Sequence, residues 1–269
     1  MIKDITIGQY VPGDSFVHKL DPRVKILLSI IFMICLFVIN DFRGYIFIIP
    51  FTICTILISK LKFKYIYKGL KPIFILLIIT GILNVFMYPG KDLMVRWKFI
   101  TIYKESAFMA AFMVVRLVFL IVGTSILTLT TSPIELTDGI EKLLNPFKKI
   151  GLPAHELAMM MTIALRFIPT LIDETDKIMK AQMARGADFE SGNIFVRARN
   201  LIPLLVPLFI SSFRRADELA MAMESRCYRG GEGRTRMKQL NMSYRDGIAV
   251  TFFALVLAVS ITCKWWLQV

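Results

Sequence analysis

Apolar residues run almost unbroken through five stretches of the chain and recur with a helical period between the fourth and the fifth. The unbroken runs are Val24–Ile39, Tyr45–Ser59, Pro72–Tyr88, Ser106–Thr131 and Gly247–Cys263. A helix crosses the hydrocarbon core of a bilayer with about 20 apolar residues, within a range of about 17–25. All five runs are read as membrane-spanning. The first two are short by that measure and predict either a tilted pair that borrows flanking residues or a shallow hairpin.

The periodic part, Ser132 to Asp246, predicts helices of another kind. Thr131-Ser132-Pro133-Ile134-Glu135 is a helix start, a hydroxyl cap followed by proline at the first helical position. That helix should stop near Gly151 or Pro153. A second is predicted over Ala154–Arg185. Its apolar residues Leu157, Met160, Met161, Ala164, Leu165, Ile168, Leu171 and Ile172 are spaced by three and four, while Arg166, Thr170, Asp173, Glu174, Lys177 and Lys180 take the other side. Pro169 predicts a kink in it. A third is predicted over Ile194–Tyr228, with Ile202, Leu205, Phe209, Phe213, Ala216, Leu219, Ala220 and Met223 as one stripe. Pro203 and Pro207 should bend its first half, and Leu201–Ile210 is apolar enough to enter a membrane face. Stripes this long must be covered. Neighbouring helices, the spans or another protein would each serve. Met159-Met160-Met161, Met179, Met183, Met221 and Met223 suit a surface that repacks against more than one partner, and equally an ordinary helix-on-helix core.

The 269 residues are 56% hydrophobic and 20% charged, too apolar for an ordinary soluble domain and too charged for a bundle wholly in lipid. Segregation of the charges resolves this. The fold class predicted is an all-α integral membrane protein, with about five membrane-spanning helices and one cytoplasmic domain of long amphipathic helices. The domains are 1–131, 132–246 and 247–269. The net charge of +13 flanks the spans, so topology and anionic lipid account for it. No zinc-finger spacing or aromatic-rich basic strand points to nucleic acid. Lys3, His18, Lys19, Arg23 and Lys25, with the dense Lys60–Lys71 segment, place the N-terminus and that segment in the cytoplasm. The Pro89–Lys104 loop then falls outside, although Lys91, Arg96, Lys98 and Lys104 blur the rule. The insert falls inside, and the tail with its interfacial Trp265-Trp266 falls outside. The first 22 residues are mixed polar sequence, which predicts no cleaved leader.

Catalytic and metal chemistry find little support. Cys35, Cys54, Cys227 and Cys263 form no C-x-x-C pair, and three of them lie in apolar runs, so buried free thiols are expected rather than a zinc site or a disulfide. Gly8–Ser15 has Asp14 where a phosphate loop requires lysine, and no strand precedes it. His18 and His155 have no ligand-like spacing, and no Ser-His-Asp, H-E-x-x-H or G-x-S-x-G arrangement occurs. No cofactor is expected. Arg116 lies mid-span with no acidic residue in any of the five runs. Backbone carbonyls, Asn84 or a polar cavity are its candidate partners, in a bracing or a transport role. The two long insert helices end alike, Met183-Ala184-Arg185-Gly186-Ala187 and Glu224-Ser225-Arg226-Cys227-Tyr228. A basic residue then glycine is ordinary helix termination. Two such ends, each with arginine between small residues, point further, to guanidinium groups free to enter a partner's groove.

On these residues the chain resembles the transmembrane T component of energy-coupling factor transporters, the vitamin and metal importers of prokaryotes. The resemblance covers nearly the whole chain. It is carried by Gly13-Asp14-Ser15, by His18-Lys19-Leu20-Asp21-Pro22-Arg23-Val24-Lys25, by Leu129-Thr130-Thr131-Ser132-Pro133, by Arg166-Phe167-Ile168-Pro169, and above all by Ala184-Arg185-Gly186 and Ser225-Arg226-Cys227. In the last of these, Ser and Cys stand where the family tends toward Ala and Gly. The resemblance implies a non-catalytic subunit in a prokaryotic cell membrane. Two ATP-binding-cassette ATPases would dock on Arg185 and Arg226 through the two motifs. A membrane-embedded substrate-binding S component would rest on the insert helices, at Met160, Met161, Leu205, Phe209 and Phe213. Two alternatives stand beside it: a self-contained permease or channel with Arg116 lining the path, and a membrane enzyme.

Overall fold

The computed structural model describes residues 10–39, 42–87, 93–97, 100–189, 191, 193–231 and 240–266. The first span opens with a built-in start signal. Asp21 accepts a hydrogen bond from the Arg23 N–H, and Pro22 fills the first position, where no N–H is needed. Helix α1 runs Pro22–Val38 and α2 Phe42–Ser59. Helix α3, Phe63–Leu70, passes through a 3-10 turn at Lys71–Ile73 into α4, Phe74–Met87. The basic segment read as a connection is thus partly helical, with Ile66 buried and its lysines exposed. Strands β1, Leu93–Trp97, and β2, Ile100–Tyr103, pair antiparallel. The sequence reading had a loop here; runs rich in β-branched and aromatic residues favour strand. Helix α5 runs Lys104–Thr130, α6 Pro133–Leu144, α7 Ala154–Ala184, α8 Ile194–Asn200, α9 Ile202–Glu224 and α10 Tyr244–Trp266. Apart from the hairpin, the described chain is helical, and it is an all-α membrane protein.

The described residues form two compact units, one within 8–139 and 239–269, the other within 140–238. In the first unit α5 is central and packs against α1, α2, α3 and α4, while α10 packs on α1 and α2. One core cluster gathers Val17, Leu20, Ile56, Val122, Ile126 and Leu129. The other gathers Phe32, Leu36, Ile39, Tyr45, Ile48, Phe112 and Phe253. At Gly123 the helices approach so closely that an added Cβ would lie 2.6 Å from the Phe32 ring.

Arg116 is buried in this unit. Its Nη2 donates to the Ile39 carbonyl at 2.8 Å, and its guanidinium lies 4.7 Å from the Phe112 ring centroid. Of the partners weighed for it, the carbonyl is the one realised. Asn84 instead donates to Thr80 in its own helix. Ile39 follows the last residue of α1, so Arg116 satisfies an orphan carbonyl at a negative helix end.

Among the described residues, four stretches are long and apolar enough to cross a membrane by length and composition: Phe63–Met87, Lys104–Thr130, Ala154–Ala184 and Phe195–Glu224. The first two coincide with the third and fourth runs. The last two lie in the insert and are the less apolar pair.

In the second unit the predicted Ile194–Tyr228 helix forms α8 and α9, which meet at a single turn residue, Leu201. Leu201 keeps helical angles, and its N–H still bonds to the Arg197 carbonyl, so the path continues; Pro203 and Pro207, which supply no amide hydrogen, lie just beyond, inside α9. Helix α7 continues through Pro169.

Candidate coupling site

The similar endings of α7 and α9 are the same structure. After α7, the Ala187 N–H bonds to the Gln182 carbonyl and the Gly186 N–H to the Met183 carbonyl, both at 3.0 Å. After α9, the Tyr228 N–H bonds to the Met223 carbonyl at 3.1 Å and the Cys227 N–H to the Glu224 carbonyl at 2.8 Å. Both are Schellman caps, with the arginine as the last residue before a left-handed turn. Gly186 makes that turn at φ 89° and Cys227 at φ 55°. The small-Arg-small pattern therefore has a conformational reason that spacing alone did not disclose. The third position must adopt a backbone that glycine tolerates and other residues pay for. Cys227→Gly is expected to stabilise this cap by roughly 1 kcal/mol, read as slower hydrogen exchange at the Tyr228 amide. Arg185 and Arg226 are both exposed.

Helices α7 and α9 run antiparallel. Gln182 Nε2 donates to the Pro203 carbonyl at 3.3 Å, Ser211 donates to Glu174, and Arg215 Nη2 pairs with Glu174 at 2.7 Å. At the far end Gly231 lies on His155, where an added Cβ would come within 2.4 Å of the ring, and His155 Nδ1 is 3.1 Å from Glu141. The two arginine caps therefore stand at opposite ends of the pair, roughly 40 Å apart at about 1.5 Å per helical residue.

The face of α9 turned to α7 carries Leu204, Ser211 and Arg215. The predicted apolar stripe is elsewhere: Leu205, Phe209 and Phe213 are 55%, 65% and 57% exposed. Phe209 and Phe213 stack edge-on, with centroids 4.7 Å apart. Met160, exposed, and Met161, half-buried, lie near the start of α7. The structure groups Leu205, Phe209 and Phe213 but puts the two methionines toward the other end of the pair.

In the first unit, a polar clamp holds both roots of the insert. At the entry, the Val11 N–H bonds to the Leu129 carbonyl and Lys25 Nζ to the carbonyls of His18 and Thr130, all at 3.0 Å. These partners satisfy carbonyls that the end of α5 leaves open. Ser132 Oγ then accepts the Glu135 N–H at the start of α6. At the exit, the Asp246 carboxylate accepts the Asp21 N–H at 2.8 Å and the Ser243 N–H at 2.7 Å, and Arg23 donates to the Leu240 carbonyl while pairing with Asp21 at 2.7 Å. Burial raises the Asp21 carboxyl. Hydrogen bonds from Arg23, with the charges of Arg23 and Lys25, outweigh it and hold that carboxyl below its usual range. This contribution is full at neutral pH and is lost as pH falls through the lowered value. His18 completes the segment. Its Nε2 donates to the Val11 carbonyl at 3.0 Å, so Nδ1 accepts from Ser15 at 2.6 Å.

From the sequence Arg23 and Lys25 count as topology charges, and Asp246 marks only the end of the insert. The Asp21-Pro22 pair is a local capping signal that marks the start of α1. The role of Asp246 has no such signal, because its partner is 225 positions away.

Residues 13–237 match the family described as cobalt transport protein. Over 268 residues the chain is 70% identical to the energy-coupling factor transporter transmembrane protein EcfT of Clostridium kluyveri, with 99% of each chain covered. The protein of the same name in Thermosediminibacter oceani is 60% identical over 264 residues, covering 98% of this chain and 99% of its own. The one in Bacillus subtilis is 48% identical over 246 residues, covering 91% and 93%.

Proposed function

The chain belongs to the cobalt transport protein family, alongside the energy-coupling factor transporter transmembrane proteins, and from that premise we propose that it is the coupling subunit of an ATP-driven importer for a vitamin or a metal ion. It has no chemistry of its own. Two ATPase subunits each take one arginine cap, Ala184-Arg185-Gly186 or Ser225-Arg226-Cys227. A membrane-embedded S component carries the substrate and rests on the exposed apolar face of α9. ATP-driven movement of the ATPases displaces α7 and α9, and the clamped roots convey that displacement to the spans. The N-terminus and the insert lie on the cytoplasmic side of a prokaryotic cell membrane.

The observation that carries this reading is the pair of arginine caps with the same backbone hydrogen bonds, both exposed, at opposite ends of one antiparallel helix pair. A cap serving only helix termination has no need of arginine at the same position twice. A separation of roughly 40 Å suits two receptors rather than one groove.

The test is to purify the tagged chain from its native membrane in mild detergent and to identify what accompanies it. Two ATPases and one S component are expected. If the chain emerges alone and passes substrate by itself in liposomes, it is a permease and the coupling reading is wrong.

A further inference from the structure

A cavity of about 160 Å³ lies between α1, α2, α5 and α10. Its two ends differ. Phe32, Phe51, Phe252 and Phe253 line it deeper along the helices, and toward the start of α1 and the end of α5 its lining gains the polar groups of Lys25, Ser29 and Thr130 beside Leu20. At the polar end Lys25 Nζ donates to two carbonyls, and an ammonium has three protons to give. One turn further along α1, Ser29 Oγ is buried without a hydrogen-bond partner. A buried hydroxyl and an unused ammonium proton beside an open space call for an occupant that accepts hydrogen bonds.

The placement of these groups says which occupant. Lys25 is in the first turn of α1 and Thr130 is the last residue of α5, so the polar end lies where the spans meet the membrane surface. Phe32 is two turns deeper, about 10 Å along the helix. A positive, donating end at headgroup depth and an aromatic end in the hydrocarbon is the profile of an anionic phospholipid, phosphate outward and tail inward. A space of this size resembles engineered cavities of about 150 Å³ that hold a benzene molecule, enough for several methylenes of one chain and not for two chains.

We propose that this cavity is a binding site for an anionic phospholipid, with one acyl chain between α1, α2 and α10 and its phosphate on Lys25 and Ser29. The lipid would sit directly beneath the clamp at the entry to the insert, since Lys25 belongs to both.

Native mass spectrometry of the detergent-purified assembly, titrated with phosphatidylglycerol or phosphatidylcholine, tests this. Wild type should retain one phosphatidylglycerol that phosphatidylcholine does not replace. Ala249→Phe fills the cavity from α10 and should abolish that retention. Thr55→Phe fills it from α2 and gives the same reading should the first variant not assemble. Ser29→Val should weaken retention about tenfold or more, because it removes a donor to a charged group. Equal retention of the two lipids by wild type, or undiminished phosphatidylglycerol on an assembled cavity-filled variant, would overturn the proposal.

Discussion

Reversing both cap charges, Arg185→Glu with Arg226→Glu, should abolish uptake while the chain still inserts and folds. The two positions are exposed and already hold their helix ends by backbone bonds, so the side chains are free of structural duty. A guanidinium in a partner's groove pairs with carboxylates or carbonyls as a planar fork. Glutamate there loses those bonds and sets like charges face to face, at a cost of about 2–5 kcal/mol per site. Each single reversal should then weaken ATPase retention on purification by a factor of roughly 30 or more, since 1.4 kcal/mol is tenfold. Arg→Lys, which keeps the charge but not the fork, should fall between. Membrane abundance should stay as in wild type and the melting temperature should fall only slightly, since a glutamate at a helix C-terminus costs about 0.3–1 kcal/mol. Normal uptake by the double reversal would refute the assignment of these caps.

The second large effect concerns the exit root of the insert. Asp246→Ala should destabilise the first unit by about 3 kcal/mol. Asp246 is 3% exposed, and its carboxylate accepts two backbone N–H groups, one of them at the start of α1. Hydrogen bonds to charged groups contribute about 1.5–3 kcal/mol each, and a buried donor left without a partner is costly. Loss of monodisperse assembly after heating, measured by size exclusion, should occur several degrees lower than in wild type. Uptake should fall further than ATPase retention does, because the caps are untouched while the root that transmits their movement is loosened. Equal loss of both would mean that Asp246 serves stability alone.

Much of this architecture is legible along the chain. The runs that became α4 and α5 are apolar on every face, a signal that survives without knowledge of neighbours. The Ser132-Pro133 start of α6 and the paired arginine ends of α7 and α9 are local chemistry, and local chemistry is what a single sequence displays. The unread parts depend on distance or on backbone angle. Arg116 could not be matched to the Ile39 carbonyl because every residue carries a carbonyl. The clamp joins Asp21 to Asp246 across the whole insert. Cys227 could not be seen in a left-handed turn, since cysteine gives no such sign. The hairpin β1–β2 is obscured in the sequence by the basic residues Lys91, Arg96, Lys98 and Lys104, which interrupt its apolar pattern. Pro203 and Pro207 announce a disturbance early in the third insert helix, and the turn residue Leu201 lies just before them.

The antiparallel pairing of α7 and α9 also carries a statement about symmetry. By the register of the Glu174 and Gln182 contacts, Ile172 comes opposite Phe213, and each lies thirteen residues before its arginine. The caps are thus disposed about a local pseudo-dyad, roughly 20 Å to either side at helical rise. Such an arrangement offers the same key twice, turned by half a revolution. Under the proposed coupling role it would match a receptor with its own two-fold axis, a pair of like subunits presenting like grooves. The symmetry is one of backbone and of the arginines, not of their neighbours, with Ala184 and Ser225 before them and Gly186 and Cys227 after. Glycine on one arm and cysteine on the other make the two keys equal in shape but unequal in backbone strain, so the arm ending in Cys227 is the one expected to yield first.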